Sequence, residues 1–215
     1  MKKIALYLVS VLLFCGCANG QSRNDFAAVP QPEQGESVAT FGGGCFWSMS
    51  EAMSELKGVN KVVSGYAGGT KANPSYEEVG TQATGHAEVV QIYYDSKVIS
   101  YATLAKSFFF AHDPTELNRQ GPDEGTDYRS IAFYRTPAER EILLNTIKEI
   151  NATKHYTDPI VTQVVPFKAF YPAEKYHQGY YRLHGDNPYI SNVSEPKVMK
   201  FRKAMHNELK AEFQK

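Results

Sequence analysis

From about Ser37 onward, apolar and polar positions follow two different periods along the chain. "SVATF" (37–41) reads as a short strand, and three glycines separate it from a helical run at about Trp47 to Leu56, which Gly58 stops. "VNKVVSGYAGG" (59–69) predicts a strand ending in a glycine turn, and "HAEVVQIYYD" (86–95) a strand of strong β-propensity. Ser100 can cap a helix carrying Leu104, Phe108 and Phe109, and "RSIAFYR" (129–135) is a further strand. "TPAE" (136–139) predicts a capping box with Pro137 at the first helical position, opening a helix through Ile142, Leu143, Ile147 and Ile150. "IVTQVV" (160–165) is another strand, and a last helix from about Glu195 would align Val198, Phe201, Met205 and Leu209. The fold class is α/β or α+β, one sheet with helices packed on it; periodicity alone does not choose the topology.

The first residues follow neither period. Lys2 and Lys3 precede an apolar stretch from Ile4 to Phe14, too short to span a membrane, which ends in "FCGC". That arrangement resembles a bacterial lipoprotein signal over residues 1–17 with Cys17 as the lipidation candidate, plain secretion being the alternative. The expected location is exported, as a periplasmic or cell-envelope lipoprotein. Residues 18–36, polar with Pro30 and Pro32, read as a flexible tether, and 37–215 as the folded domain.

Composition then narrows the chemistry. Lys and Arg total 23, as do Asp and Glu, and they are mixed along the sequence. A nucleic-acid-binding face would need them clustered, so none is expected. Of three cysteines, Cys15 would leave with the signal and Cys17 would be lipidated, which leaves Cys45 alone in the body. An internal disulfide framework is then impossible.

Cys45 sits between three glycines and a predicted helix start, where free N–H groups and the helix dipole favour a thiolate. Phe46 and Trp47 would wall the sulfur. A lone cysteine is as often an inert core residue, but a core filler needs neither the glycines nor the helix end. On a strand, Glu88 shares a face with Val90, Ile92 and Tyr94, which would raise its pKa and make it a proton donor; it could equally end the strand with its head in water. The irregular stretch "HDPTELNRQGPDEGTDYRS" (112–130), with Asp123 and Tyr128, has the look of a functional loop, and Tyr76 falls in another. Taken singly, each tyrosine is more often a packing residue. No histidine carries a protease signature, no cluster has metal-ligand spacing, and no phosphate or dinucleotide fingerprint is present.

Six motifs in order, "GGGCFW", "GYAGG", "NPSYEEV", "TGHAEVVQIYYD", "HDPTELNRQGPDEGTDYRS" and "FYPAEKYHQGYY", closely resemble the A-type methionine sulfoxide reductases, which act on the S epimer. The resemblance spans roughly residues 38–185. It implies a two-layer plait-like sandwich, a mixed sheet with helices on it and the catalytic cysteine at a helix N-terminus. It also implies Cys45 as nucleophile, Phe46 and Trp47 as the pocket for the sulfoxide methyl, and Glu88 as the acid that protonates the oxygen. Tyr76 and Tyr128 would hydrogen-bond that oxygen, and Asp123 matches the active-site aspartate. Implied partners are oxidised proteins or peptides and an external thiol reductant such as thioredoxin, glutaredoxin or a small thiol, with no metal or other cofactor. Nothing in the sequence hints at more than a monomer, with membrane contact only through an N-terminal lipid.

Three departures matter. Ser48 follows "GCFW" where many members have Gly, and Gly179 replaces a larger polar residue, which should weaken the local helix. Many members also carry resolving cysteines downstream, and this chain has none after Cys45. Two other readings compete: a thiol peroxidase or sulfenic-acid sensor, and a non-catalytic module that binds methionine-like side chains.

Overall fold

A computed structural model describes residues 25–214; the signal, Cys17 and the first part of the expected tether lie outside the described residues. Strand β1 (Glu36–Gly42) leads into helix α1 (Phe46–Ser54), followed by β2 (Val59–Ala67), the short α2 (Tyr76–Gly80), β3 (Ala87–Asp95) and α3 (Tyr101–Phe110). A two-stranded ribbon, β4 (Arg119–Gln120) with β5 (Asp123–Glu124), interrupts the long loop before β6 (Ile131–Tyr134) and α4 (Pro137–Thr153). β7 (Gln163–Pro166), β8 (Phe170–Pro172), α5 (Tyr180–Leu183) and α6 (Glu195–Ala204) complete the order.

Six strands form one mixed sheet in the order β7–β6–β1–β3–β2–β8, parallel only between β6 and β7. Helix α1 lies over β2 and β3 and against α5 and α6. The fold is the expected mixed sheet with helices packed on it. β3 is the central strand, buried on both faces along nearly its whole length. Val90, Ile92 and Tyr94 point into the larger cluster with Phe46, Met49, Phe108 and Phe201. Ala87 and Val89 join Ala67, Ile131 and Phe133 in a smaller cluster on the other face.

Four local expectations are revised. At α4, Thr136 caps the Glu139 N–H as predicted, but the Glu139 carboxylate accepts from Arg135 N at 2.6 Å instead of closing on Thr136. A reciprocal capping box stands elsewhere, at α2, where Ser75 and Glu78 satisfy each other's backbone donors. The last helix opens from a π-type turn at Ile190–Ser194 and ends at Ala204, so Leu209 contributes its burial from beyond the helix, bridged to Leu56. Gly179 does not weaken a helix interior: it precedes α5 at φ +65, a left-handed conformation that favours glycine over any larger residue. Of the residues expected as tether, Ala27 donates to Ala173 O at 3.0 Å and Pro30 O accepts the Tyr93 hydroxyl at 2.8 Å, which lays this segment against the domain.

The C-terminal residues are fastened to α1. Glu55, fully buried, forms a bidentate pair with Arg202 at 2.6 and 2.9 Å, and Glu51 pairs with Arg182 at 2.7 Å. Lys210 donates its backbone N–H to Glu55 O and its Nζ to Ser54 O. Two carboxylates on a packed helix face would be costly to bury alone, and pairing with arginines through charge-assisted bonds compensates. α1, the helix that carries the cysteine, is thereby fixed at its far end.

Candidate active site

The glycines between β1 and α1 answer two different demands. A Cβ on Gly42 would stand 2.6 Å from the carbonyl oxygen of Glu88, so the two strands meet there only through glycine. Gly44 turns at φ +77 with the Gln120 side chain packed where its Cβ would be. Its N–H donates to Tyr128 O at 3.1 Å, tying this turn to the long loop. Cys45 is then the N-cap residue of α1.

A helix start normally seeks a capping side chain for its free N–H groups. Here the cap comes from a neighbouring strand: Glu88 on β3 accepts the Phe46 N–H at 2.9 Å. Glu88 is 2% exposed, which rules out the alternative of a strand-end carboxylate in water. Burial raises its pKa to about 8, the Phe46 bond opposing and the nearby Asp127 and Asp123 adding. At neutral pH it is a protonated acid aimed at the helix start.

Cys45 is 6% exposed and unpaired. Burial, with the Glu88 charge second, pushes its thiol well up, while the Trp47 N–H and the Tyr189 hydroxyl pull it down. The expectation of a thiol lowered by the helix end is therefore corrected. Full desolvation shifts a pKa by up to about 3–5 units, whereas a helix terminus contributes roughly 0.3–1 kcal/mol. The first N–H of α1 is also spent on Glu88. The resting sulfur is a neutral thiol.

The other predicted residues surround this pair. Tyr76, the first residue of α2, and Tyr128, on the turn after β5, lie near each other, and both feel Glu88 and Cys45 electrostatically. Burial raises both phenols, which keeps them as hydroxyl donors. Phe46 is buried against Tyr66, with ring centroids 5.9 Å apart. Trp47 is half-buried and stacks on Tyr180 at 3.9 Å. Asp123 accepts the Tyr189 hydroxyl at 2.6 Å and lies 3.5 Å from Lys197 Nζ, so it steers Tyr189 toward the sulfur. Among the described residues, no group of His, Cys, Asp or Glu could hold a metal ion.

Sequence reasoning left out several participants. Tyr189, from "DNPYIS", carried no local signal at all. His177 accepts the Trp47 indole N–H at 3.1 Å, and burial lowers its pKa to about 4, so it is neutral. Glu174 and Tyr66 lie behind the aromatic wall. His177 and Glu174 belong to "FYPAEKYHQGYY", whose unusual density of Tyr, His and Glu was the available signal.

The arrangement sets a protonated acid, two phenolic donors and a thiol around one point, with aromatic rings alongside. Such a set suits proton-assisted attack of sulfur on a polar, weakly electrophilic centre. The sequence matches the family described as "Peptide methionine sulfoxide reductase" over residues 37–210. It is 48% identical to "Peptide methionine sulfoxide reductase MsrA" of Polynucleobacter asymbioticus, over 76% of this chain and 86% of that protein. The fold is similar to Mxr1 of Saccharomyces cerevisiae in reduced form, with TM-score 0.68 and 32% identity over 73% of this chain and 91% of that one. Mxr1 in complex with Trx2 matches at TM-score 0.50 and 25% identity, over 71% and 89%.

Proposed function

The chain belongs to the peptide methionine sulfoxide reductase family and reduces methionine sulfoxide in peptides; from that premise, we propose that Cys45 is the nucleophile, acting on the S epimer with Glu88 as acid. The observation that carries this reading is the buried Glu88 carboxyl bonded to the N–H of Phe46, next to Cys45.

Sulfoxide sulfur is a poor electrophile until its oxygen is protonated or strongly hydrogen-bonded. Tyr76 and Tyr128 bind the oxygen, Glu88 gives it a proton, and Phe46 and Trp47 take the methyl. The sulfur of Cys45 attacks the sulfoxide sulfur, and its own proton restores Glu88. The sulfoxide's sulfur–oxygen bond and the transient sulfur–sulfur bond then break as the oxygen bonds to Cys45, which releases methionine and leaves a sulfenic acid. Methionine sulfoxide is reduced by two electrons to methionine, the thiol is oxidised by two, and the balance closes. Asp123 orients Tyr189 on the sulfur.

With no cysteine after Cys45, the sulfenic acid is reduced by an external thiol. The complex of Mxr1 with Trx2 supports a thiol partner of that kind.

The test is a single turnover without reductant on a peptide carrying the S-epimer sulfoxide. About one methionine per enzyme is expected, with one added oxygen on Cys45 in the mass spectrum. No methionine from a chain whose Cys45 still reacts with thiol probes would sink the reading. For the leader, we read "FCGC" as a lipoprotein signal and place the mature protein at the cell envelope. Intact-mass analysis of the exported form is expected to show a lipid on Cys17; an unlipidated chain cut at another residue would refute it.

A further inference from the structure

Glu174 carries a fully buried carboxyl group two residues beyond the end of β8, and its two oxygens are divided between two elements of the site. Oε1 accepts the backbone N–H of Tyr76 at 3.0 Å. Oε2 accepts the Tyr66 hydroxyl at 3.0 Å. The backbone around Glu174 is itself held: Phe26 bridges Glu174, and Ala173 N donates to Ser64 O at 2.9 Å on β2. The carboxylate therefore has a fixed base from which to hold its partners.

Those partners lead to both halves of the reaction. Tyr76 starts α2, a helix of one turn too short to place its first residue by itself. Tyr66 supports the ring of Phe46 on the methyl side. A third contact runs the same way: the Trp47 indole N–H donates to His177 Nδ1, which leaves the proton of the neutral imidazole on Nε2, 3.9 Å from Glu174 Oε2. Among the described residues that Nε2 has no hydrogen-bond partner, and the Glu174 carboxyl is the charged group it faces. One side chain thus lies behind the oxygen-binding tyrosine and both aromatic walls.

We infer that Glu174 is a positioning residue for sulfoxide reduction, holding Tyr76 at the sulfoxide oxygen through its backbone N–H and the Phe46 wall through Tyr66. It touches no substrate. The inference rests on the proposed role of Tyr76 as an oxygen donor, and the experiment separates the two.

The experiment measures the single-turnover rate on the sulfoxide peptide with and without Tyr76→Phe, in wild type, Glu174→Gln and Glu174→Asp. Gln keeps the length: its amide oxygen can accept from Tyr76 N–H while its NH2 donates to the Tyr66 oxygen. Asp keeps the carboxyl group but is one methylene short and cannot span both partners. Both changes retain a polar group at the site, and near-UV circular dichroism checks that the fold is kept. Removing one preorganised donor to a developing oxyanion costs about 100-fold. That penalty from Tyr76→Phe is expected in wild type and in Glu174→Gln, and about 3-fold or less in Glu174→Asp, where Tyr76 is already misplaced. A residue needed only for stability would leave the penalty the same in all three, and that result overturns the inference. No penalty even in wild type overturns the role of Tyr76 and the inference with it.

Discussion

Cys45→Ser is expected to form no methionine while still binding the sulfoxide. A seryl hydroxyl is a far weaker nucleophile toward sulfur than a thiol, and accepting the oxygen would require an oxygen–oxygen bond where Cys45 forms a sulfenic acid. The loss in single-turnover rate should be at least about 10,000-fold, as for removal of other enzymic nucleophiles. Binding survives because the rings of Phe46 and Trp47 and the donors Tyr76 and Tyr128 are untouched. Trp47 is the one tryptophan of the chain and stacks on Tyr180, so its fluorescence reports occupancy directly. The expected result is a saturable fluorescence change with sulfoxide peptide in both proteins, and methionine only in wild type. Methionine production by the serine variant at even a few per cent of the wild-type rate would remove Cys45 from the nucleophile's role. A protein whose whole activity survived the change would be a binding module instead.

Glu88→Gln should slow the chemical step by about 100- to 10,000-fold, the range typical of a lost general acid. Its geometry makes the comparison clean: the amide oxygen can still accept the Phe46 N–H, so the helix start stays in place. Only the proton is missing. The pH dependence gives a second, independent reading. A carboxyl whose pKa is raised to about 8 is in its acid form below that value. The wild-type single-turnover rate should therefore be flat at neutral pH and fall about tenfold per unit above pH 8. The Cys45 thiol titrates well above the ordinary thiol value, so its ionisation does not mask this limb. The limb should vanish in Glu88→Gln. A glutamine variant that kept the wild-type rate, or retained the fall above pH 8, would assign the acid elsewhere.

Much of this architecture was legible in the sequence because it rests on local rules. The alternation through Glu88, Val90, Ile92 and Tyr94 offered the main core face for the acid, with a strand end in water as the equal alternative, and the structure buries it. The caps at Ser100 and Thr136 and the position of Cys45 at a helix start followed from turn and capping chemistry. What failed was the balance of opposed effects at the sulfur. Helix-end stabilisation can be read from a motif, but burial depends on what the rest of the chain packs over it. The Tyr189 hydroxyl reaches the site from a segment 144 positions after Cys45, a distance no periodicity can bridge. His177 and Glu174 were visible as residues of a motif, while the groups they hold were not.

The clamp on α1 bears on how the chain reaches this state. Arg182 follows Glu51 by 131 positions and Arg202 follows Glu55 by 147. Until those arginines arrive, the helix bearing Cys45 cannot bury its acidic face without leaving two carboxylates unpartnered. Such closures at long sequence separation raise the relative contact order and slow the folding step. During synthesis, the site would complete itself only after nearly the entire chain has emerged, so that the reactive sulfur is among the last parts of the molecule to be enclosed.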